Sequence, residues 1–271
     1  MNFEDMFSVD GKVVCVTGGG GGIGMGIAGA FIAGGARVYI ASRSDLSETA
    51  MKLDAMGPGQ CLALRVDLAE QEDIENLAAE LTEREGKLDV LVNNAAVGFD
   101  HRIEDFPLDD WDKEMAVNVR APFALTRECL SLLTEAGSSD CHASVINIAS
   151  IAGLRVGNDN GWAYSTSKAA LIQLTKRCAS LLGHNHARQD PTATGGRHVT
   201  FNAIAPGLFP GMLDELLATE KGRAEISALT VVGRPGKPEE MGAACIYLAS
   251  RAGAYVTGAV LPVDGGLLVR A

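Results

Sequence analysis

The chain is short of positive charge. Lys and Arg number 23 against 34 Asp and Glu, a formal net charge of -11 over 271 residues. Such a field repels phosphate backbones and anionic lipid, which argues against a nucleic-acid partner. Leader features are also missing: Met1-Asn2-Phe3-Glu4-Asp5 has neither a basic n-region nor an apolar h-region. The apolar stretch from Ile23 to Ala36 is short and interrupted by glycines, so no segment is expected to span a membrane. The six cysteines (15, 61, 129, 141, 178 and 245) form no C-x-x-C pair and have no matching histidine spacing. Zinc and a disulfide framework are thereby disfavoured, and the cysteines read as buried thiols of a cytoplasmic protein.

The 47% hydrophobic content is enough to fill the core of one large domain over residues 1–271. Short Val- and Ile-rich runs (12–17, 37–41, 61–66, 90–93, 145–148, 199–203 and a last one near 259–263) alternate with helix-period segments. The helices are expected near 23–34, 47–56, 70–86, 111–133, 163–182 and 239–250. This alternation predicts a doubly wound α/β fold of Rossmann type, with about seven parallel strands and helices on both faces. One polar segment, residues 184–197, breaks the rhythm and reads as a surface insertion at the N-terminal edge of the sheet. His184 and His186 within it lack a third ligand and read as solvated loop residues, so no metal is expected.

The first strand runs straight into Gly18-Gly19-Gly20-Gly21-Gly22-Ile23-Gly24 and then a helix. Backbone amides and a helix N-terminus can there face a pyrophosphate with no side chain between. Two patterns fit: G-x-G-x-x-G through residues 19, 21 and 24, and T-G-x-x-x-G-I-G through Thr17, Gly18, Gly22, Ile23 and Gly24. Glycine count leaves the phase open, and Gly20 belongs to the candidate cradle under either. At the end of the second strand, where NAD-binding proteins place a carboxylate, stand Ser42 and Arg43. A small neutral residue beside a planar cation suits a 2′-phosphate, so NADP(H) is preferred over NAD(H). Asp45 reads as a helix cap, and Asp67, with Leu68 after it, as a candidate for the adenine.

Tyr164 and Lys168 are four residues apart and share one helix face. A cation about 4 Å from a phenol in an effective dielectric of about 20 stabilises the phenolate by about 4 kcal/mol, enough to bring the hydroxyl towards neutral pH.

In order along nearly the whole chain, Thr17-Gly18 through Ile23-Gly24, Asn93-Asn94-Ala95-Ala96, Asn118, Ser150, Tyr164 with Lys168, and Pro206-Gly207 resemble the short-chain dehydrogenase/reductase family. The resemblance implies that Tyr164 is the general acid/base, that Lys168 holds the nicotinamide ribose, that Ser150 binds the substrate oxygen and that Asn118 anchors a water-mediated proton path. It places Asn94, Ala95, Ala96, Pro206, Gly207 and Phe209 along the cofactor. Two departures stand out: Ala96 replaces a frequent glycine, and Ser150 and Tyr164 are one residue further apart than in many members. Residues 202–210 and 254–266 resemble the branch of 3-oxoacyl-[acyl-carrier-protein] reductases, including the rhamnolipid-pathway type. That implies a β-keto or other hydrophobic ketone substrate, with a polyol, sugar or secondary-metabolite dehydrogenase as the alternative. Pocket residues are expected at 97–100, 152–162 and 208–217, and the resemblance implies a homotetramer, or a homodimer. A non-catalytic NADP(H)-sensing regulator is the reading from another class, and the presence of Ser150, Tyr164 and Lys168 argues against it.

Overall fold

A computed structural model describes residues 3–138, 141–157, 160–182, 198–211 and 213–270. The 184–197 insertion lies outside these residues. Seven strands, β1 (Val13–Thr17), β2 (Arg37–Ser42), β3 (Gln60–Arg65), β4 (Val90–Asn93), β5 (Ala143–Ile148), β6 (Val199–Pro206) and β7 (Val260–Val263), form one sheet of order β3-β2-β1-β4-β5-β6-β7. Every pairing is parallel.

The apolar runs are continuous because both faces are covered. Val14 and Val16 of β1 face one way, into a cluster with Ile27, Phe31 and Ile32 of α2 (Gly22–Ala33) and Met241, Cys245 and Leu248 of α11 (Pro238–Ala249). Val13 and Cys15 face the other way, towards Leu77 and Leu81 of α4 (Gln71–Glu85), Leu125 of α6 (Ala121–Glu128) and Cys178 of α8 (Trp162–Leu182). Strand order reverses between β1 and β4, and a crevice opens there beyond the carboxyl ends. α1 (Phe3–Phe7), α3 (Ser47–Asp54), α9 (Asp214–Leu217) and α10 (Glu220–Leu229) complete the helices outside the 111–133 region.

The expected single helix over 111–133 runs through to Glu128 but is not a regular α-helix. It comprises α5 (Leu108–Met115), a π turn (Ala116–Arg120), α6 and α7 (Leu130–Ala136). Pro122 is the cause: it has no N–H to give to the carbonyl four residues back, that of Asn118, and its ring crowds that carbonyl. The ladder slips by one residue, and the Ala121 amide bonds the Ala116 carbonyl. The cysteine expectation also needs one correction: five are buried, but Cys141 is exposed. Among the described residues no helix is long and apolar enough to cross a membrane, and no group of His, Cys, Asp or Glu is arranged to hold a metal.

Candidate active site

At the end of β1 the glycine phase is settled. Gly18 and Gly22 have φ of +66° and +50°, a region in which a side chain is strained. A Cβ on Gly24 would stand 2.1 Å from the Gly18 carbonyl oxygen. The T-G-x-x-x-G-I-G register therefore holds, with α2 starting at Gly22. Thr17 is turned away from the crevice: its Oγ1 accepts from the amides of Asn94 (3.0 Å) and Ala95 (3.1 Å). Asn94 replies by donating Nδ2 to the carbonyls of Thr17 (2.9 Å) and Gly18 (3.2 Å), which ties β1 to β4. Of the expected cradle residues, Gly18, Gly22, Ile23 and Gly24 line the crevice together with Gly21, whereas Thr17 and Gly20 do not. Gly20 instead abuts Leu46, whose Cδ2 would be 2.5 Å from an added Cβ.

Ser42 and Arg43 lie at one end of the same crevice, with Asp67 and Leu68 beside them. Ser42 Oγ closes a turn by accepting from the Ser44 amide at 3.1 Å. Asp45 accepts from the Ser47 amide (2.9 Å) and hydroxyl (2.6 Å), which hold its carboxyl below the usual range and reserve it for the start of α3. Asp67 Oδ1 accepts from the Ala69 amide at 3.0 Å. Sequence reasoning missed Arg65: it pairs with Ser42 across the β2–β3 ladder, and its Nε donates to the Arg43 carbonyl at 3.1 Å. The loop that presents Arg43 is thus held by a second cation.

Tyr164, Lys168 and Ser150 meet at the other end. Lys168 is 2% exposed, donates Nζ to the Ile148 carbonyl at 2.9 Å, and lies 5.6 Å from the centre of the Tyr164 ring. Burial pushes its ammonium down to about 8, against the opposing pull of Glu114. Ser150 Oγ accepts from the Ala152 amide (3.1 Å) and caps the turn Ile151–Gly153. That turn lies flat on α8, since a Cβ on Gly153 would be 2.7 Å from the Lys168 carbonyl carbon.

Asn118 sits behind the wall of the crevice and does not line it. Its Nδ2 donates to the Val97 carbonyl (2.8 Å) and to Ser167 Oγ (3.0 Å), and its Oδ1 accepts from the Val97 amide (2.9 Å). Ser167 in turn donates to the Tyr164 carbonyl at 2.7 Å. The Asn118 side-chain amide thus holds the wall of the crevice.

The whole crevice measures about 1490 Å³. Beyond Tyr164 it is walled by residues 97–100, 206–211, 213 and 214, and by Ala152, Arg155, Gly157 and Gly161. Ala95, Ala96, Pro206, Gly207 and Phe209 all line it as expected. Lys113, Leu229 and Leu267 do so without having been anticipated. Leu267 carried no sequence signal, for it is brought in by Arg155, whose Nη1 donates to its carbonyl at 3.0 Å.

A glycine cradle at the switch point, with serine, tyrosine and lysine at the far end of the crevice, defines a nicotinamide-dinucleotide oxidoreductase. The chain belongs to the short-chain dehydrogenase/reductase family: residues 18–268 match a family model described as enoyl-(acyl carrier protein) reductase. It is 39% identical over 263 residues to the rhamnolipids biosynthesis 3-oxoacyl-[acyl-carrier-protein] reductase of Pseudomonas aeruginosa, covering 96% of this chain and 97% of that one. It is 36% identical to the 2-dehydro-3-deoxy-D-gluconate 5-dehydrogenase of Bacillus subtilis, covering 98% of each. The solved Pseudomonas aeruginosa RhlG/NADP active-site complex superposes with a TM-score of 0.88 at 38% identity, covering 98% of this chain and 99% of that one.

Proposed function

We propose that the protein is an NADP(H)-dependent oxidoreductase that interconverts a hydrophobic ketone, of the β-keto type, and its secondary alcohol. The carrying observation is that Ser150, Tyr164 and Lys168 converge on one end of a crevice whose floor is the Gly18–Gly24 cradle and whose other end is Ser42 and Arg43.

The residues fit the cofactor. Gly18 and Gly24 let the loop pack against Asn94 and itself, and Gly21, where an added Cβ would meet nothing within 4 Å, leaves the backbone open at a helix N-terminus that would stabilise a pyrophosphate. Arg43 offers the guanidinium for a 2′-phosphate, and no carboxylate replaces Ser42 to repel it. Asp67, Leu68 and residues 94–96 would flank the adenosine half, and Pro206, Gly207 and Phe209 the nicotinamide half. The bound nicotinamide supplies the hydride or accepts it. This chain's side chains do the rest: Ser150 donates to the substrate oxygen, Tyr164 gives that oxygen its proton in reduction and removes it in oxidation, and the Lys168 ammonium stabilises the phenolate.

The same crevice supports a second reading. Arg155 and Lys113 line it, and such cations would suit the carboxylate of a sugar acid, the substrate type in the name of the Bacillus subtilis relative. Exposed Phe123, Leu181, Tyr247 and Tyr255 support closed assembly into a homotetramer through α6, α8, α11 and the β7 side, and the buried free thiols suit a cytoplasmic location.

The test follows NADPH absorbance with β-keto thioesters, cyclic ketones, sugar acids and polyols. Turnover of β-keto thioesters above the rest supports the proposal, and a preference for sugar acids replaces it with the second reading. Tyr164→Phe should bind NADPH as before and lose turnover by about 10²–10⁴-fold, the usual worth of a general acid/base; unchanged turnover would refute the mechanism.

A further inference from the structure

Glu114, on α5, is fully buried and has no place in the chemistry described above. Its Oε1 accepts the Phe99 amide at 2.9 Å. Its Oε2 is buried with no hydrogen-bond partner among the described residues. One turn further on, Asn118 grips Val97 by both amide and carbonyl. Two consecutive turns of one helix thus hold residues 97 and 99. Gly98, between them, lies against the catalytic phenol: a Cβ there would be 3.1 Å from Tyr164 Cδ2.

A neutral acceptor would satisfy Phe99 equally well. A carboxylate in the interior with one oxygen unpaired is costly unless a cation shares its surroundings. The groups acting on it are Asp110 on its own helix, His101 on the loop beyond Phe99, and Lys168 on α8. Asp110 and His101 are already paired with each other at 2.9 Å. Lys168 is the remaining charge among these, itself buried, with its Nζ donating to the Ile148 carbonyl at 2.9 Å.

We propose that Glu114 is a positioning residue of the active site: it clamps the segment that packs on Tyr164 and serves as the buried counter-charge of Lys168. The inference rests on the reading of Tyr164 and Lys168 as an acid–base pair. Burial raises the Glu114 carboxyl and lowers the Lys168 ammonium, and each charge opposes the other's shift. Removing the negative charge therefore lowers the proton affinity of Lys168 and of the coupled pair as a whole.

Nitrogen-15 NMR of the lysine side chains, on ligand-free protein, tests this without a substrate. The Lys168 Nζ signal is assigned by its loss in Lys168→Met. Glu114→Gln keeps an acceptor for Phe99 and should move the Lys168 midpoint down by about 0.5–1 pH unit. Glu114→Asp, which keeps the charge, should move it less. An unmoved midpoint in a folded Glu114→Gln protein overturns the proposal. Should that variant not fold, the Glu114 carboxyl is titrated by carbon-13 NMR in Lys168→Met, where its midpoint must rise; no rise overturns the proposal equally. With an active substrate, the pH profile of kcat in Glu114→Gln should shift bodily to lower pH at unchanged KM for NADPH, whereas a purely structural role lowers kcat at every pH without moving it. A protein that turns over no ketone but shows the titration shift refutes the functional reading and leaves the charge pairing intact.

Discussion

At the scale of single residues, cofactor choice turns on Arg43. It stands just past Ser42, whose partner across the ladder is Arg65, and the Arg65 side chain holds the Arg43 carbonyl. Arg43→Ala should weaken NADPH binding by about 2–3 kcal/mol, the worth of a hydrogen bond to a charged group, and leave NADH binding nearly unchanged. Adding Ser42→Asp should then favour NADH, since a carboxylate accepts from the ribose hydroxyls and repels a 2′-phosphate. Fluorescence titration with both dinucleotides checks this, and a wild type that prefers NADH would refute the NADP(H) assignment. Arg65→Ala should loosen the Arg43 loop and weaken NADPH binding by a smaller factor. The residues of the site were legible where the chain order of several weak motifs is itself a signal, as for Ser150, Tyr164 and Lys168. Arg65 and Glu114 were not, because a strand-end arginine and a helical glutamate look like solvated surface until pairing register and burial are known.

Among the elements, the π turn in the 111–133 helix matters most for function. Pro122→Ala restores a donor opposite the Asn118 carbonyl and so favours a regular α ladder. The expected result is slower exchange of the amides around 118–122, an intact fold, and turnover reduced by about 10-fold or more through displacement of the Asn118 turn. Hydrogen exchange and kcat measured on one preparation decide it; wild-type turnover with a regularised ladder would show that the π turn is dispensable. Helices α2, α3, α4, α8 and α11, the helical region 111–133 and all seven strands could be read from periodicity because the sheet is buried on both faces. Period cannot reveal a register slip of one residue: apolar spacing survives a π turn, and only the proline at position 122 marks it. α9 and α10 escaped for another reason, although Thr219, which caps Gly222 at 3.0 Å, was a usable start signal.

For the molecule as a whole, the Lys168 ammonium is a liability to folding. Its folded value of about 8 lies below the ordinary 10.5, so the unfolded chain binds the proton more tightly. The penalty is fully present below pH 8, fades as pH rises between the two values and is gone above the higher. Lys168→Met removes this penalty but strands the Glu114 carboxylate, so its gain over wild type at pH 7 should fall short of the about 3 kcal/mol the shift alone implies, while turnover is abolished and the rise of stability between about pH 8 and 10.5 disappears. Chemical denaturation across that range checks it, and a variant that keeps the wild-type rise would show that Lys168 is not its source. The Arg155 bond to the Leu267 carbonyl has a consequence in time as well as in space. Strands β1 to β4 are contiguous in the sheet and carry the dinucleotide floor within the first 100 residues of the chain. The wall that Leu267 supplies leaves the ribosome about 100 residues after Lys168, a delay of about 5–20 s at ordinary elongation rates. The floor of the dinucleotide site is thus synthesised well before the wall that shapes the substrate end.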